Sequence, residues 1–368
     1  MIRIGMCPDP FFQTEWHKIA NPNLVWQAQA TEAQGGKIIP LTRAQAQHPA
    51  TWKELNLDVV HYHWPAAAFN FYVARKPVQI VTPHFLVQQW TKFRLGLWEK
   101  EVKKYNIPIV WQVHDILSHH AVGYNLAADI LLHRAIFSIS DGLVLNGLGS
   151  LQAVESFYGK VDQYTAFPLG SYYELYGKPI PKTDAKKLLG IENTGKVFSY
   201  LGTARPNRNP AATVKAFIET ATEDDILIVA GNDIHLYISE QQDPRIMLFP
   251  GVISKEKFHK ILCASDFIIN DGKKYLTSAI LRVAADYFVP VITYSYGCAQ
   301  DYSKDAAIWI DDINGGLPAA IRKAIEMSTT EWQKLSDAAR INTESLTWEA
   351  GAINCMALYK KVIELRKG

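Results

Sequence analysis

Two arginines three residues apart, Arg205 and Arg208, follow a short apolar and aromatic run and a glycine in V-F-S-Y-L-G-T-A-R-P-N-R, Val197 to Arg208. Residues of these types in this order suit an anion. The run predicts a buried strand, Gly202 a sharp turn, and the residues from Asn209 onward a helix. The helix's free N–H groups and positive end would meet planar guanidinium forks that grip phosphate oxygens in pairs. The competing reading is of ordinary solvated arginines, since strand–glycine–helix turns occur in every α/β protein. A second candidate anion site lies in D-G-K-K-Y-L-T-S-A-I-L, Asp271 to Leu281. There Thr277 or Ser278 can cap the next helix and offer its first N–H groups to a phosphate.

Histidine is the other residue type placed for chemistry. Nine of the eleven precede residue 135, and His61, His63, His84, His114, His119 and His120 fall at or just after predicted strand ends. A metal cluster is one reading, but H-Y-H and H-D-x-x-x-H-H match no familiar zinc spacing and acidic ligands are few nearby, so no metal is expected. Gathered on one sheet edge, these histidines read instead as a cleft lining that hydrogen-bonds a hydroxyl-rich ligand. His114 with Asp115, directly after an apolar run, is the pair best placed for proton transfer.

These residues need elements to hold them. The first half alternates apolar runs (Ile2 to Met6, Lys37 to Leu41, Asp58 to Tyr62, Ile107 to Val113, Gly142 to Leu145) with helical stretches (Leu24 to Ala33, Val87 to Tyr105, Asn125 to Phe137, Ser150 to Tyr158). That alternation predicts a parallel sheet with helices on its faces, its ligands gathered at the carboxyl edge. The turn from Pro8 to Asn23 holds Asp9, Glu15, His17 and Asn21 and lacks the glycine fingerprint of a dinucleotide site, so no NAD or FAD is expected.

Between Tyr158 and Lys196, Pro168, Pro179 and Pro181 with Gly170 and Gly177 break the pattern. A second strand–helix series then begins, with strands at Val197 to Leu201, Ile226 to Ala230, Ile246 to Phe249, Phe267 to Asn270, Val289 to Thr293 and Ala307 to Ile310. A helix is expected over Thr277 to Phe288, and a long one over Trp348 to Arg366. The expected fold is two doubly wound α/β domains, 1–170 and 196–347, joined by a linker at 171–195, with a C-terminal helix at 348–368 crossing back to the first.

At 368 residues, 48% apolar and 20% charged, the chain reads as globular, and a net charge of +2 with no dense basic stripe argues against nucleic acid. A start without a signal peptide and no bilayer-length apolar stretch make cytoplasmic the expected location. The scattered Cys7, Cys263, Cys298 and Cys355 are expected as reduced thiols. On the helix from Val87, Trp90, Phe93 and Leu97 are expected to pack in the core, leaving a solvated basic face of Lys92, Lys100, Lys103 and Lys104. The alternative is peripheral contact with an anionic membrane surface.

With these residues in view, the chain resembles the GT-B-fold glycosyltransferases of the family 4-like kind, among them bacterial exopolysaccharide mannosyl- and glucosyltransferases. L-G-T-A-R-P-N-R-N at 201–209 is similar to the family's G-x-x-R-x-x-K turn for the donor diphosphate, with Arg205 on its arginine and Arg208 on its lysine. V-A-G-N at 229–232, the donor-loop helix and its following P-V-I strand at 277–292, H-Y-H-W-P at 61–65 and V-W-Q-V-H-D at 110–115 extend the resemblance over nearly the full length. It implies two Rossmann-like domains and hexose transfer from a nucleoside-diphosphate sugar, UDP- or GDP-linked, to a saccharide or glycolipid in bacterial surface polysaccharide assembly. Gly202, Arg205, Arg208, Gly231, Thr277 and Ser278 would then bind the donor, His61, His63 and His119 would line the acceptor side, and His114 and Asp115 would serve catalysis. No cofactor is implied.

The sequence departs from the family's pattern in places. The retaining members' acidic pair falls on Tyr275 and Val283, the usual glycine before V-P-V-I is Phe288, P-H-G reads Pro168-Leu169-Gly170, and H-N reads His114-Asp115. A non-catalytic partner subunit and a sugar-nucleotide epimerase on the same fold are the alternatives.

Overall fold

The computed structural model describes residues 1–11, 22–69, 84–118, 124–205, 208, 210–238 and 243–367. The chain runs through β1 (Ile2–Cys7), α1 (Asn23–Ala33), β2 (Gly36–Pro40), β3 (Val59–Tyr62), α2 (His84–Tyr105), β4 (Ile109–Val113), α3 (Tyr124–Ile139), β5 (Gly142–Leu145), α4 (Leu151–Tyr158) and β6 (Tyr164–Ala166). It continues through β7 (Val197–Leu201), α5 (Pro210–Thr220), β8 (Ile226–Gly231), β9 (Ile246–Pro250), α6 (Lys255–Ala264), β10 (Phe267–Asn270) and α7 (Ala279–Asp286). It ends with β11 (Val291–Thr293), β12 (Ala307–Trp309), α8 (Gly316–Glu326), α9 (Thr329–Glu344) and α10 (Trp348–Lys367). Shorter helical turns fill several connections.

Two compact units result, Met1–Leu169 with Trp348–Gly368, and Gly170–Thr347. Each contains one six-stranded sheet, ordered β2-β1-β3-β4-β5-β6 in the first and β12-β11-β10-β7-β8-β9 in the second. Adjacent strands pair in parallel, as in β7 with β8 and β10 with β7. Parallel strands covered on both faces read as continuous apolar runs, and β8 (I-L-I-V-A-G) is buried at every residue. The buried hydroxyl of Ser199 in β7 is satisfied by Ser265 Oγ at 2.7 Å, which removes the penalty of an unpaired polar group.

In the first unit α10 closes the core. Its Ala352, Cys355, Met356, Leu358, Tyr359 and Val362 pack with Ile4, Val59, Val110, Val144 and Phe167. Two glycines permit this approach: a Cβ on Gly351 would stand 2.4 Å from the Phe167 ring, and one on Gly142 would stand 3.1 Å from Leu358. The Arg366 guanidinium ties the far end of α10 to Asp141 at 2.7 Å.

In the second unit the segment 171–195, expected as a linker, carries the helical turns Tyr173–Tyr176 and Lys182–Leu188. Lys182 ion-pairs with Asp266 at 2.6 Å and sits 3.9 Å above the Trp332 ring, so the segment is anchored in this unit. Arg282 and Asp286 of α7 form a buried ion pair at 2.5 Å, each side chain 2% exposed. The pair also holds backbone: Arg282 Nη2 donates to the Leu346 carbonyl at 3.2 Å, and the Tyr172 N–H donates to Asp286 Oδ2 at 2.7 Å. Ser254 and Ser328 cap α6 and α9, the latter in a capping box with Glu331.

Candidate functional site

From β7 the second unit's sheet grows one way through β8 and β9 and the other way through β10, β11 and β12. Loops leaving β7 and β10 therefore part in opposite directions and leave a crevice at the carboxyl ends of these strands, where open α/β sheets bind ligands. Gly202 and Gly231 shape it. Their φ values of +128° and +145° are open to glycine, and a Cβ on Gly231 would lie 2.0 Å from the Gly202 carbonyl oxygen. Gly202 N donates to Ala230 O at 3.0 Å, Ala204 N to Asn232 O at 2.9 Å and Gly251 N to Gly231 O at 2.8 Å, stitching three loops together. Gly231→Ala is expected to cost about 1–3 kcal/mol in folding stability. An unchanged urea midpoint would show that the loops yield freely.

The two arginines divide the work. Their backbones pair reciprocally at 3.0 and 2.9 Å, closing the loop on itself. Arg208 turns back over the strand: its Nη2 donates to Leu201 O at 2.5 Å, and its guanidinium lies 5.0 Å from the Tyr200 ring centroid. The Tyr200 hydroxyl in turn donates to Arg208 O at 2.9 Å. Among the described residues, nothing hydrogen-bonds or ion-pairs with the half-buried Arg205 guanidinium. Of the two arginines, Arg205 is thus the one left for a ligand among the described residues.

The β10 loop adds a residue that the sequence reading did not single out. Asp271 accepts from Thr213 Oγ1 at 3.0 Å through Oδ2, while its Oδ1 is buried without a partner. Burial raises its pKa above the usual carboxylate value, against the opposing charge of Arg208. Its signal in the sequence is an acid directly after the strand-end Asn270.

α7 begins two residues later than expected. Ser278 takes the cap position with extended backbone, but its side chain does not cap the helix. Its N–H faces Cys298 Sγ at 3.3 Å, and its Oγ is 3.5 Å from Asn270 Oδ1. Thr277 lies half-buried beside it. Gly231 ends β8, and Gly202, Arg205, Arg208, Thr277 and Ser278 lie on loops leaving the carboxyl ends of β7 and β10.

In the first unit the switch in strand order falls between β1 and β3. β3 and the loops after β3 and β4 there stack four rings into a column, Trp64, His114, His63 and His61, with successive centroids 4.4, 5.3 and 4.5 Å apart. His63 Nδ1 and His114 Nε2 share a 3.1 Å hydrogen bond, and His61 Nδ1 shares one of 2.5 Å with the Tyr359 hydroxyl of α10. The Nε2 atoms of His61 and His63 are buried without partners.

Burial lowers the pKa of His61 and of His114 to about 3, and that of His63 well below the ordinary value. The rings are neutral at pH 7, and His114 in this state is too weak a base to deprotonate a hydroxyl efficiently. Asp115 is half-buried on the same loop. His119, His120, Glu15, His17 and Asn21 lie outside the described residues, as does the side chain of His84. Among the described residues, no group of three or more His, Cys, Asp or Glu side chains is arranged to hold a metal ion.

Two Rossmann-like units, each a parallel sheet with a crevice at its switch point, define the GT-B fold. Solved structures agree. The chain is similar to sucrose-phosphate synthase from Thermosynechococcus elongatus, at 14% identity over 99% of this chain and 100% of that one, with a TM-score of 0.69. It is similar to Alr3699/HepE of Anabaena, at 13% identity over 100% of both chains and a TM-score of 0.63. The α,α-trehalose 6-phosphate synthase of Burkholderia multivorans matches at 11% identity over 99% of each chain, with a TM-score of 0.61. No family model matches the sequence, and no curated protein does. At these identities the likeness is one of fold.

Proposed function

We propose that the protein is a glycosyltransferase that moves a hexose from a nucleoside-diphosphate sugar to a saccharide or glycolipid acceptor, in the cytoplasm and at the membrane face, in bacterial surface polysaccharide assembly. The observation that carries this reading is the Arg205 guanidinium, left without a partner among the described residues at the crevice of a GT-B fold. A leaving diphosphate gains negative charge as the glycosidic C–O bond breaks, and a preorganised cation stabilises that charge. Arg205 supplies it without a metal. Arg208 holds the strand end, Gly202 and Gly231 let the backbone approach, and the start of α7, which the Ser278 side chain leaves uncapped, offers its first N–H groups beside Thr277 and Ser278.

On the acceptor side, the neutral imidazole of His114 faces the sugar hydroxyls, backed by the buried rings of His63 and His61, with His119 in the segment beyond. Asp115 is the carboxylate assigned to take the proton as the acceptor oxygen bonds to the anomeric carbon. HepE, similar in fold, has been solved with UDP-glucose and with UDP and glucose, which favours a uridine donor.

Calorimetry with UDP and GDP tests the donor site, and saturable binding of one of them is expected. Adding the matching nucleotide sugar should then release nucleoside diphosphate only when a saccharide acceptor is present. One observation favours a second reading, a non-catalytic partner subunit. The positions of the acidic pair hold Tyr275, whose ring lies against Gly272, and Val283, which is 3% exposed. Binding of neither nucleotide would select that reading, and conversion of the donor sugar without acceptor would select an epimerase.

A further inference from the structure

α2 has two apolar faces where a surface helix normally has one. Thr91, Leu95, Trp98 and Val102 form the inner one, with the Trp98 ring 4.6 Å from Phe69 and 6.2 Å from Tyr62. Leu86, Trp90, Phe93 and Leu97 repeat the same spacing on the other side, and they are 47, 60, 58 and 50% exposed. The expectation that Trp90, Phe93 and Leu97 pack in the core is therefore overturned. One helix cannot bury two stripes on opposite sides against one sheet, and the stripe with Trp98 is the one that faces inward.

The outer stripe is dressed for a particular occupant. Trp90 and Phe93 stack with centroids 6.0 Å apart. The helix carries five basic side chains, Lys92, Arg94, Lys100, Lys103 and Lys104, all exposed, against the two acidic ones of Glu99 and Glu101. Lys100 and Lys104 stand seven residues beyond Phe93 and Leu97, so they prolong the stripe as positive charge. Aromatic and leucine side chains beside a lysine-rich face suit the interface of an anionic bilayer, where rings enter the headgroup boundary and ammonium groups meet acidic headgroups. A second copy would set these lysines against themselves. The four side chains also offer on the order of 400 Å², about half of what one partner contributes to a standard interface.

We propose that the outer face of α2 docks the first unit on an anionic lipid bilayer, with Leu86, Trp90, Phe93 and Leu97 inserting and the flanking lysines holding acidic headgroups. This deepens the membrane part of the proposed function, and its failure is separable from that of the transfer reading. No described helix is long and apolar enough to cross a membrane, so the contact is peripheral.

The test is co-sedimentation of the full chain with vesicles of phosphatidylcholine alone or mixed with phosphatidylglycerol. Binding to the mixed vesicles only, weakened at least tenfold in Trp90→Ser/Phe93→Ser and by raised salt, is the expected result. Both residues are solvent-facing, so the variant should keep its melting temperature and its nucleotide binding in solution. Absence of binding to the mixed vesicles, or equal binding by the variant, overturns the proposal. So does a wild-type dimer that the variant splits into monomers, which would make a second copy the occupant. Nucleotide calorimetry on the same preparations reports separately on the donor site.

Discussion

Arg205→Ala is expected to lower donor turnover by roughly 10²-fold or more while leaving the melting temperature unchanged. The two halves of that expectation come from one observation. The guanidinium has no hydrogen bond or ion pair to any described residue, so its removal breaks no such contact among them. A group that stabilises the leaving diphosphate acts more strongly as charge develops, so the loss should fall on kcat and on kcat/KM. Arg208→Ala makes the contrast. It removes the 2.5 Å bond to Leu201 O and the cover over Tyr200, so it should lower stability and turnover together. Near-unchanged turnover in Arg205→Ala, measured as nucleoside diphosphate release, would remove the residue from the reaction.

The second large effect is structural. Arg282→Ala leaves the Asp286 carboxylate buried with its charge uncompensated, a change that costs about 3–5 kcal/mol. For a unit of this size that corresponds to a fall of roughly 10 °C in melting temperature. The loss should depend on pH, and the sign follows from Asp286. Burial already raises its pKa, with Arg282 opposing the rise, so without the guanidinium the pKa climbs further. A raised pKa in the folded state gives stability that is full at low pH and is lost as pH rises through that value. The deficit of Arg282→Ala should therefore be smaller at pH 5 than at pH 8, as read from urea midpoints. A deficit that is flat with pH would mean that Asp286 is not the group left exposed to burial.

Much of the fold was legible because parallel strands announce themselves as short apolar runs. β5, β7 and β10 begin and end at the expected residues. β6 was missed because three residues, Tyr164, Thr165 and Ala166, are too few to show a period. The turns within 171–195 were hidden by prolines, which mark interruptions and not the packing around them.

The end of α7 shows a different limit. Phe288 was noted as standing where glycine is usual, and it adopts φ +58°, the left-handed backbone that glycine takes without cost. The backbone kept the turn, so the helix stops at Asp286 and β11 starts only at Val291. Position at the sheet edge was also legible for His61, His63 and His114. Their stacking on Trp64, and the division of roles between Arg205 and Arg208, were not, because each depends on side-chain directions that spacing does not encode. Both stripes of α2 satisfy helical periodicity equally, so only packing could decide between them.

The place of α10 in the first unit bears on the order of events during synthesis. Six of the fourteen buried residues in the core cluster under α10 leave the ribosome after the whole of the second unit, Ala352, Cys355 and Tyr359 among them. The segment made first thus completes its fold last. Until α10 arrives, the apolar side chains of Ile4, Val59, Val110 and Val144 lack their cover, and His61 lacks the hydroxyl of Tyr359. A chain stalled before Trp348 would hold a finished second unit and a first unit whose sheet face next to α1 lacks the cover of α10, a natural substrate for chaperones.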